Sequence, residues 1–451
     1  MAERYDAVIL GTGPGGEAVA GRLLSGGKKI AIVEKELIGG ECAYWACIPS
    51  KTLLRPPEAK SEARRAFGTS TPTLTLEEVF DYRDFMIRNL DDSGQVESYE
   101  GKGVTVVKGE GRITGPGKVE ADGRTLEADH IIVATGSTPN VLPIEGIEDV
   151  PHWTNREVTT TREVPERTLV IGGGPNGIEA SQWLSSFGSE VTTVQSPDRL
   201  INREEPKVGE LIQAALTEDG VSVRLGQKVT MARKKDDGDI VAEFDDGTEV
   251  ETDMIVIAAG RTPRVEGIGL ESIGVEPGEK GLQIDERCQL DGVSGTWAVG
   301  DVTGISLFTH VATYQARVVA DNILGKERRA DYRGIPRVVF SDPEIAATGL
   351  TEEQAREQGI DVASATLDMT KVLARPWTYE ENPRGHFGLV ADKERGVLVG
   401  AWAVAPQAGE WIHQASQAIR TDIPVEKLLD GVYQFPTFSE AYLKALEQLN
   451  L

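Results

Sequence analysis

The chain has 451 residues, of which 39% are hydrophobic and 26% charged, so it is long enough for several domains of ordinary globular composition. Its net charge of −25 argues against nucleic acid and anionic membranes as partners, because both bind basic surfaces; the acidity favours solubility, with adaptation to high salt as an alternative. No apolar run approaches transmembrane length and no targeting segment precedes the first predicted strand, so we expect a cytoplasmic protein with no membrane partner.

The chain starts with a pattern typical of a dinucleotide-binding fold. A predicted strand at residues 5–10 runs into Gly11, Gly13 and Gly16, after which a helical segment begins. The first glycine permits a tight turn, the second lets the backbone approach a pyrophosphate, and the third lets the helix pack on the strand. The next predicted strand ends at Glu34, whose carboxylate is suited to accept hydrogen bonds from a ribose. This strand–turn–helix context favours a nucleotide site over a chance glycine turn.

Two cysteines follow, Cys42 and Cys47, with Ala43 to Ala46 between them. Pro49 indicates that Cys47 opens a helix, where free backbone N–H groups and the helix dipole favour a thiolate. A structural disulfide is one alternative, but the chain has only 3 cysteines. Half of a metal site is another, but the first histidine is His130, and tetrahedral sites usually need more soft ligands. The pattern therefore favours a redox-active pair, and we predict no metal site.

The next part of the chain repeats the order of the first. Residues 52–100 are predicted helical, and a run of short strands at 103–139 ends in Ala134-Thr135-Gly136-Ser137-Thr138-Pro139. The second glycine fingerprint, after a predicted strand at 168–171, consists of Gly172, Gly174 and Gly177. A second strand run at 221–257 ends in Ala258-Ala259-Gly260-Arg261-Thr262-Pro263. This duplication predicts two dinucleotide sites, which suit a flavin and a nicotinamide cofactor.

The choice between NADH and NADPH depends on the end of the second strand in the repeat. That strand ends at Gln195 and is followed by Ser196, so it lacks the carboxylate that would repel a 2′-phosphate. Arg199 or Arg203 is placed in sequence to supply the opposite charge, although both are also consistent with solvated surface residues. The pattern slightly favours NADPH.

The stretch around the two cysteines resembles the active-site motif of the flavoprotein disulfide reductases, which include dihydrolipoamide dehydrogenase, glutathione reductase and mercuric reductase. Residues 39–51 read Gly-Gly-Glu-Cys-Ala-Tyr-Trp-Ala-Cys-Ile-Pro-Ser-Lys, and the usual form is Gly-Gly-Thr-Cys-x-Asn-x-Gly-Cys-x-Pro-Ser-Lys. Glu41, Tyr44, Trp45 and Ala46 depart from it. The runs Trp297-Ala298-Val299-Gly300-Asp301 and, from Phe340 to Leu350, Phe-Ser-Asp-Pro-Glu-Ile-Ala-Ala-Thr-Gly-Leu extend the resemblance essentially end to end.

The resemblance implies roles for individual residues. Thr135 and Gly136 would close over the flavin nucleotide, Gly260 would take the matching position in the repeat, and Asp301 would bind the ribityl chain of FAD. Lys51 and Glu179 would form an ion pair beside the flavin N5. The implied relay runs from NAD(P)H through FAD to a Cys42–Cys47 disulfide, with Cys47 as the charge-transfer thiolate and Cys42 as the interchange thiol.

The resemblance also implies the architecture. We expect an α/β chain with two Rossmann-like three-layer nucleotide-binding domains and an α+β C-terminal dimerisation domain. The predicted segments are 1–149 for FAD, 150–264 for NAD(P), 265–331 for the second part of the FAD and central domain, and 332–451 for the interface domain. A homodimer is implied, in which each active site borrows residues from the partner.

The C-terminal region departs from the family pattern His-x-His-Pro-Thr-x-x-Glu. Here the run is Tyr433-Gln434-Phe435-Pro436-Thr437-Phe438-Ser439-Glu440, so Phe435 replaces the histidine that would protonate a leaving thiol, while Glu440 remains. Tyr433 and Tyr44 are the first candidates for another proton donor, and Tyr44 with Trp45 suggests an unusual acceptor pocket. Mercuric reductase also lacks the histidine but carries a C-terminal cysteine pair, which this sequence does not have, so we do not expect a dedicated mercuric reductase.

Three functions follow from these patterns. The first is transfer of electrons through the dithiol to a small-molecule acceptor, either a disulfide or another soft electrophile. The second is reduction of quinones, metal ions or dyes mainly from the flavin. The third is a non-enzymatic, flavin-bound redox sensor.

Overall fold

The computed structural model describes residues 3–235 and 238–451, which form an α/β chain. The strands are β1 (Glu3–Leu10), β2 (Ile30–Glu34), β3 (Thr105–Lys108), β4 (Gly111–Gly115), β5 (Lys118–Ala121), β6 (Arg124–Val133), β7 (Ser137–Pro139), β8 (His152–Trp153), β9 (Arg167–Ile171), β10 (Glu190–Gln195), β11 (Ser222–Leu225), β12 (Val229–Lys234), β13 (Ile240–Phe244), β14 (Glu249–Thr252), β15 (Met254–Ile257), β16 (Arg261–Pro263), β17 (Thr296–Ala298), β18 (Pro336–Val339), β19 (Glu344–Gly349), β20 (Val362–Asp368), β21 (His386–Asp392) and β22 (Val397–Ala405).

The α-helices lie between these strands and at the end of the chain. They are α1 (Pro14–Ser25), α2 (Gly40–Tyr44), α3 (Cys47–Arg65), α4 (Leu76–Met86), α5 (Ser93–Gly101), α6 (Asn155–Thr160), α7 (Pro175–Ser186), α8 (Pro206–Glu218), α9 (Thr309–Ile323), α10 (Glu352–Glu357), α11 (Met369–Val372), α12 (Arg375–Tyr379), α13 (Ala408–Trp411), α14 (His413–Arg420), α15 (Val425–Leu429) and α16 (Glu440–Leu446). Within the described residues, no helix is long and apolar enough to cross a membrane.

The chain divides into two compact units. The first comprises Met1–Pro49, Tyr82–Asn140 and Gly260–Asp331, and the second comprises Ser50–Asp81, Val141–Ala259 and Tyr332–Leu451. The four segments predicted from the sequence stay predictions. The compact units meet the predicted boundaries only at 331/332; elsewhere they begin and end at other residues, and residues 50–81 belong to the second unit.

The first unit is built on one large sheet with strand order β3-β2-β1-β6-β5-β4, with β17 pairing with β6. Strands β3, β2, β1, β6 and β17 run parallel, and β4 and β5 add antiparallel pairs at the edge. The parallel strands are rich in apolar residues, as expected for a sheet whose faces are covered by helices. Side chains of these strands, such as Val8, Val33 and Val133, form the core. The carboxyl ends of β1 and β2 carry the first glycine loop and Glu34, the edge at which such sheets bind ligands.

The second unit contains the repeated fold. Its parallel sheet has the order β11-β10-β9-β15-β8. Strands β12, β13 and β14, which lie between β11 and β15 in the sequence, form a separate antiparallel sheet. Another antiparallel sheet, β18-β19-β22-β21-β20, comes from the C-terminal part. A continuous buried cluster within this unit includes Leu53 of α3, Trp183 of α7 and Trp402 of β22.

The predicted elements agree with the observed ones to within a few residues. The helix predicted to open at Cys47 begins there, and the helix predicted from about residue 311 begins at Thr309. The two nucleotide-fold helices start at Pro14 and Pro175, earlier than the apolar pattern indicated, because proline is accepted in the first helical turn. The predicted fold class is confirmed.

Candidate active site

The first glycine loop joins β1 to α1. Gly11 has a φ of +91°, and a Cβ there would collide with the carbonyl of Ala134. A Cβ on Gly16 would collide with the carbonyl of Gly11, whereas a Cβ on Gly13 would have nothing within 4 Å. Two glycines are therefore required by close packing, and the third leaves open space at the start of the helix. A cofactor pyrophosphate fits this arrangement of a bare backbone at a helix N-terminus.

The second glycine loop, between β9 and α7, has the same construction. Gly172 has a φ of +123° and faces the carbonyl of Ala258, the counterpart of Ala134. Gly177 faces the carbonyl of Gly172, and nothing lies within 4 Å of a Cβ on Gly174. The duplication read in the sequence is therefore also a duplication of local geometry.

The residues at the ends of the second strands, Glu34 and Gln195, each bind their own glycine loop. Glu34 Oε2 accepts hydrogen bonds from the Thr12 N–H and hydroxyl, both at 2.8 Å. Gln195 Oε1 accepts one from the Gly173 N–H at 2.8 Å. The Gln195 amide oxygen therefore accepts the loop hydrogen bond that a carboxylate would accept, but it carries no negative charge. Arg199 donates to the Asn202 carbonyl at 3.0 Å, and the side chain of Arg203 is exposed.

The ends of the two strand runs meet in a short antiparallel ribbon inside the first unit, where β7 pairs with β16. Thr135 Oγ1 donates to the carbonyl of Arg264 at 2.7 Å, and the carbonyl of Gly136 accepts from the Arg264 N–H at 2.9 Å. Gly260 precedes the ribbon with a φ of +98°. Three predicted cofactor residues thus lie on one structural feature.

Asp301 is held next to this ribbon. Its Oδ2 accepts a hydrogen bond from Ser137 Oγ at 2.6 Å, and Ser137 Oγ in turn accepts one from Arg261 Nε at 2.7 Å. Burial raises the pKa of the Asp301 carboxyl, while the Ser137 hydrogen bond and Arg261 oppose that rise. A largely buried carboxyl of this kind fits a polar ligand such as the hydroxyls of a ribityl chain.

The two cysteines lie around a single hydroxyl group. Cys42 is part of α2, Cys47 is the first residue of α3, and Thr309 is the first residue of α9. Thr309 Oγ1 lies 3.1 Å from Cys42 Sγ, to which it donates, and 3.4 Å from Cys47 Sγ. The fold therefore places both sulfurs within reach of the same hydroxyl. The sequence did not indicate Thr309 as a site residue. The helix after Asp301 was predicted to start at about Val311, which places Thr309 near a helix start and does not indicate a contact with the cysteines.

Glu41 carries an interaction that the sequence did not indicate. Its carboxylate lies 3.4 Å from both Arg261 and Arg264, and all three side chains are less than about a third exposed. Gly40, next to it, packs so closely on Gly13 that a Cβ on Gly40 would lie 2.8 Å from the Gly13 Cα. Glu41, one of the four residues that depart from the family motif, is thus neutralised by two arginines beside the first glycine loop.

The second unit contains the Lys51–Glu179 pair expected from the resemblance. Lys51 Nζ donates to Glu179 Oε2 at 2.7 Å, and Glu179 is buried. The other carboxylate oxygen accepts a hydrogen bond from the Phe340 N–H at 3.0 Å, and the Lys51 ammonium lies 4.8 Å from the centre of the Phe340 ring. One residue of the C-terminal signature run therefore positions both members of the pair, which the sequence did not reveal.

Phe435 and Glu440 occupy the C-terminal region of the second unit. Phe435 is 72% exposed, and Glu440 begins α16. Glu440 Oε2 is buried and has no hydrogen-bond partner among the described residues. The Glu440 carboxylate thus retains an unused acceptor oxygen, and the Phe435 ring has no N–H or O–H to donate.

The hydroxyls of the two tyrosines predicted as proton donors, Tyr44 and Tyr433, both donate to backbone carbonyls. Tyr44 is fully buried, its hydroxyl donates to the Ile38 carbonyl at 3.1 Å, and burial raises its pKa. The Tyr433 hydroxyl donates to the Leu428 carbonyl at 3.1 Å, and burial raises its pKa as well. Tyr44 is therefore a core residue and does not line an open pocket, while the part of that prediction that concerns Trp45, which is half-buried, stays a prediction.

Comparison with known families gives two matches that together span most of the chain. A model described as pyridine nucleotide-disulphide oxidoreductase matches residues 5–316. A model described as the dimerisation domain of pyridine nucleotide-disulphide oxidoreductases matches residues 335–446.

Individual proteins are similar over nearly the whole chain. A dihydrolipoyl dehydrogenase from Thermus scotoductus is 35% identical, covering 99% of this chain and 97% of that protein. A mercuric reductase from Staphylococcus aureus is 32% identical, covering 97% of this chain and 81% of that protein. The solved structure of the HOCl-induced flavoprotein disulfide reductase RclA from Escherichia coli has a TM-score of 0.86 at 25% identity, covering 98% of this chain and 100% of that chain.

Proposed function

Because the chain belongs to the pyridine nucleotide-disulphide oxidoreductase family, we propose that it passes electrons from NAD(P)H to a disulfide or another soft electrophile through Cys42 and Cys47. The predicted family is confirmed, and the chain is an NAD(P)H-dependent FAD oxidoreductase. FAD, when bound, supplies the transfer of two electrons between the nicotinamide and the cysteine pair. Membership of a family of enzymes argues against the third function, a non-enzymatic redox sensor.

The convergence of both sulfurs on Thr309 is the observation that carries this proposal. Two cysteines that each lie within hydrogen-bond distance of one hydroxyl are held near each other, as thiol–disulfide exchange within the pair requires. Cys47 at the first position of α3 has the helix environment that favours its thiolate, and Cys42 precedes it on a separate short helix. In this proposal, Cys47 is the thiolate next to the flavin and Cys42 meets the acceptor.

The ion pair of Lys51 and Glu179 has a supporting role in the proposal. Glu179 holds the Lys51 ammonium in one orientation through a charge-assisted hydrogen bond, and the Phe340 N–H holds Glu179. A fixed positive charge stabilises negative charge that develops on a reduced ring system.

A second candidate function is direct electron transfer from the flavin to quinones, metal ions or dyes. Phe435 favours it, because a phenyl ring cannot protonate a departing thiolate. We therefore expect quinone-type acceptors to be reduced faster than glutathione disulfide and lipoamide. NADPH as the preferred donor, supported by Gln195, and a homodimer, supported by the dimerisation domain, are further parts of the proposal.

The test compares acceptors in the purified, yellow protein and in Cys42→Ser. Loss of turnover with disulfides and soft electrophiles in Cys42→Ser, with turnover of quinones retained, supports the dithiol route. Cys42→Ser should also show a long-wavelength thiolate-to-flavin absorption without added reductant, and Cys47→Ser should abolish that absorption. If Cys42→Ser leaves turnover of every acceptor unchanged, the dithiol route is refuted.

A further inference from the structure

We propose that Thr309 is a catalytic residue that carries a proton between Cys42 and Cys47, a step that rests on the proposed dithiol function. The hydroxyl lies 3.1 Å from one sulfur and 3.4 Å from the other. A hydroxyl has one hydrogen to donate and lone pairs to accept with, so it can accept from a thiol and donate to a thiolate at once. In the structure the hydroxyl donates to Cys42 Sγ, which is the arrangement that follows the transfer, and either partner can donate in its contact with Cys47 Sγ.

The relay would remove the proton from the Cys42 thiol in a site that has Phe435 in place of the family histidine. When the S–S bond of the cysteine pair is reduced by two electrons, one proton is taken up, and the product has one thiol and one thiolate. The nucleophile in exchange is a thiolate, so Cys42 must lose its proton before it attacks an acceptor. The position of the family histidine is occupied by Phe435, which cannot take a proton, and the hydroxyls of Tyr44 and Tyr433 donate to backbone carbonyls.

The proposed step balances without an outside base. The Cys42 thiol gives its proton to Thr309 Oγ1 while the Thr309 hydroxyl gives its own to the Cys47 thiolate, so the pair becomes Cys42 thiolate and Cys47 thiol. Cys42 Sγ then forms a bond to one sulfur of the acceptor disulfide, whose S–S bond breaks and releases the first thiolate to solvent. Cys47 Sγ next attacks Cys42 Sγ, the bond between Cys42 Sγ and the acceptor sulfur breaks, and the Cys47 proton leaves on that sulfur as the second acceptor thiol. The cysteine pair is oxidised by two electrons and the acceptor is reduced by two.

Three titratable residues lie close to the cysteines or to Thr309 in the sequence, and each has a partner in the structure. Glu41 precedes Cys42 and is paired with Arg261 and Arg264. His310 follows Thr309 and stacks on Phe308, with ring centres 5.1 Å apart. Lys51 follows Cys47 by one helical turn and is paired with Glu179. None of these groups changes in a Thr309 variant, so their effect on the sulfurs cancels in the comparison.

The experiment measures thiolate formation directly in the reduced holoenzyme. Iodoacetamide alkylation of Cys42 and of Cys47 is followed by peptide mass spectrometry as a function of pH, in the unmodified protein, Thr309→Val and Thr309→Ser. Valine keeps the shape and removes the hydroxyl, and serine keeps the hydroxyl. The matched control is Thr313→Val, one turn later on α9, where the lost hydroxyl donates to the His310 carbonyl and touches neither sulfur.

We expect Thr309→Val to raise the pH midpoint of alkylation by about one to two units at Cys42, to which the hydroxyl donates, since that is the worth of a hydrogen bond to a charged group, and by less at Cys47. Thr309→Ser should restore the original profile, and Thr313→Val should leave it unchanged. An unchanged profile in Thr309→Val overturns the relay. If that variant does not fold, Thr309→Ala replaces it, with folding checked by circular dichroism. Alkylation needs no acceptor, so failure of the relay is distinguishable from failure of the proposed function, which Cys42→Ser tests.

Discussion

Replacing Phe435 by histidine tests whether the missing acid limits the reduction of disulfides. The phenyl ring is 72% exposed, so its replacement should change the free energy of unfolding by no more than about 0.5 kcal/mol. Glu440 Oε2 is buried without a partner among the described residues, and the family pattern pairs this carboxylate with an imidazole at position 435. The variant therefore adds a proton donor at little structural cost.

General acid catalysis is typically worth about 10²- to 10⁴-fold in rate. We expect Phe435→His to increase the turnover of alkyl disulfides by about 10- to 100-fold, at or below the lower end of that range, because the residues around position 435 do not hold an imidazole in place. Quinone turnover should change by less than about twofold, since no thiol leaves in that reaction.

The assay is steady-state oxidation of NAD(P)H with a series of disulfides whose leaving thiols differ in acidity. A more acidic thiol leaves faster without protonation, so the unmodified protein should strongly prefer aromatic disulfides over lipoamide and glutathione disulfide. Phe435→His should flatten this dependence. Phe435→Leu controls for loss of the ring, and Phe435→His with Glu440→Gln tests whether the carboxylate orients the imidazole.

Two results would refute this reasoning. One is rapid reduction of lipoamide or glutathione disulfide by the unmodified protein, which would mean that another group protonates the leaving thiol. The other is an equal gain in Phe435→His and Phe435→Leu, which would mean that the aromatic ring blocks access and that acid catalysis is not limiting.

Three more substitutions test other parts of the site. Glu179→Gln replaces an acceptor that serves two donors, so it should lower the free energy of unfolding by about 1–3 kcal/mol in urea titrations, and exposed Glu210→Gln should have little effect. Gln195→Glu keeps the acceptor for the glycine loop but adds a negative charge, so the KM for NADPH should rise about tenfold and that for NADH much less; equal changes would contradict this interpretation. Burial raises the pKa of Glu344 from 4.5 to about 7, so its contribution to stability falls as pH rises from the lower to the higher value. Glu344→Gln, whose amide oxygen can still accept from the Gly409 N–H, should flatten the change in melting temperature over this pH range, and an unaltered profile would count against the assignment.

Local patterns in the sequence by themselves determined the nucleotide folds and the start of the cysteine helix. The spacing of Gly11, Gly13 and Gly16 and its repetition later in the chain identify two nucleotide folds, because a tight turn followed by a helix restricts which residues fit. Pro49 located the start of α3 and hence the helical position of Cys47. These features depend on residues near one another in the chain, and the sequence displays them directly.

Only the tertiary structure decided which distant residues meet at the site. Thr309 lies more than 260 positions from either cysteine, and nothing in its neighbours predicts that α9 begins between the two sulfurs. Tyr44, beside the dithiol in sequence, is turned into the core of its unit, because consecutive residues on a helix point in different directions. Packing of separate strands and helices sets such contacts, and packing depends on the whole chain.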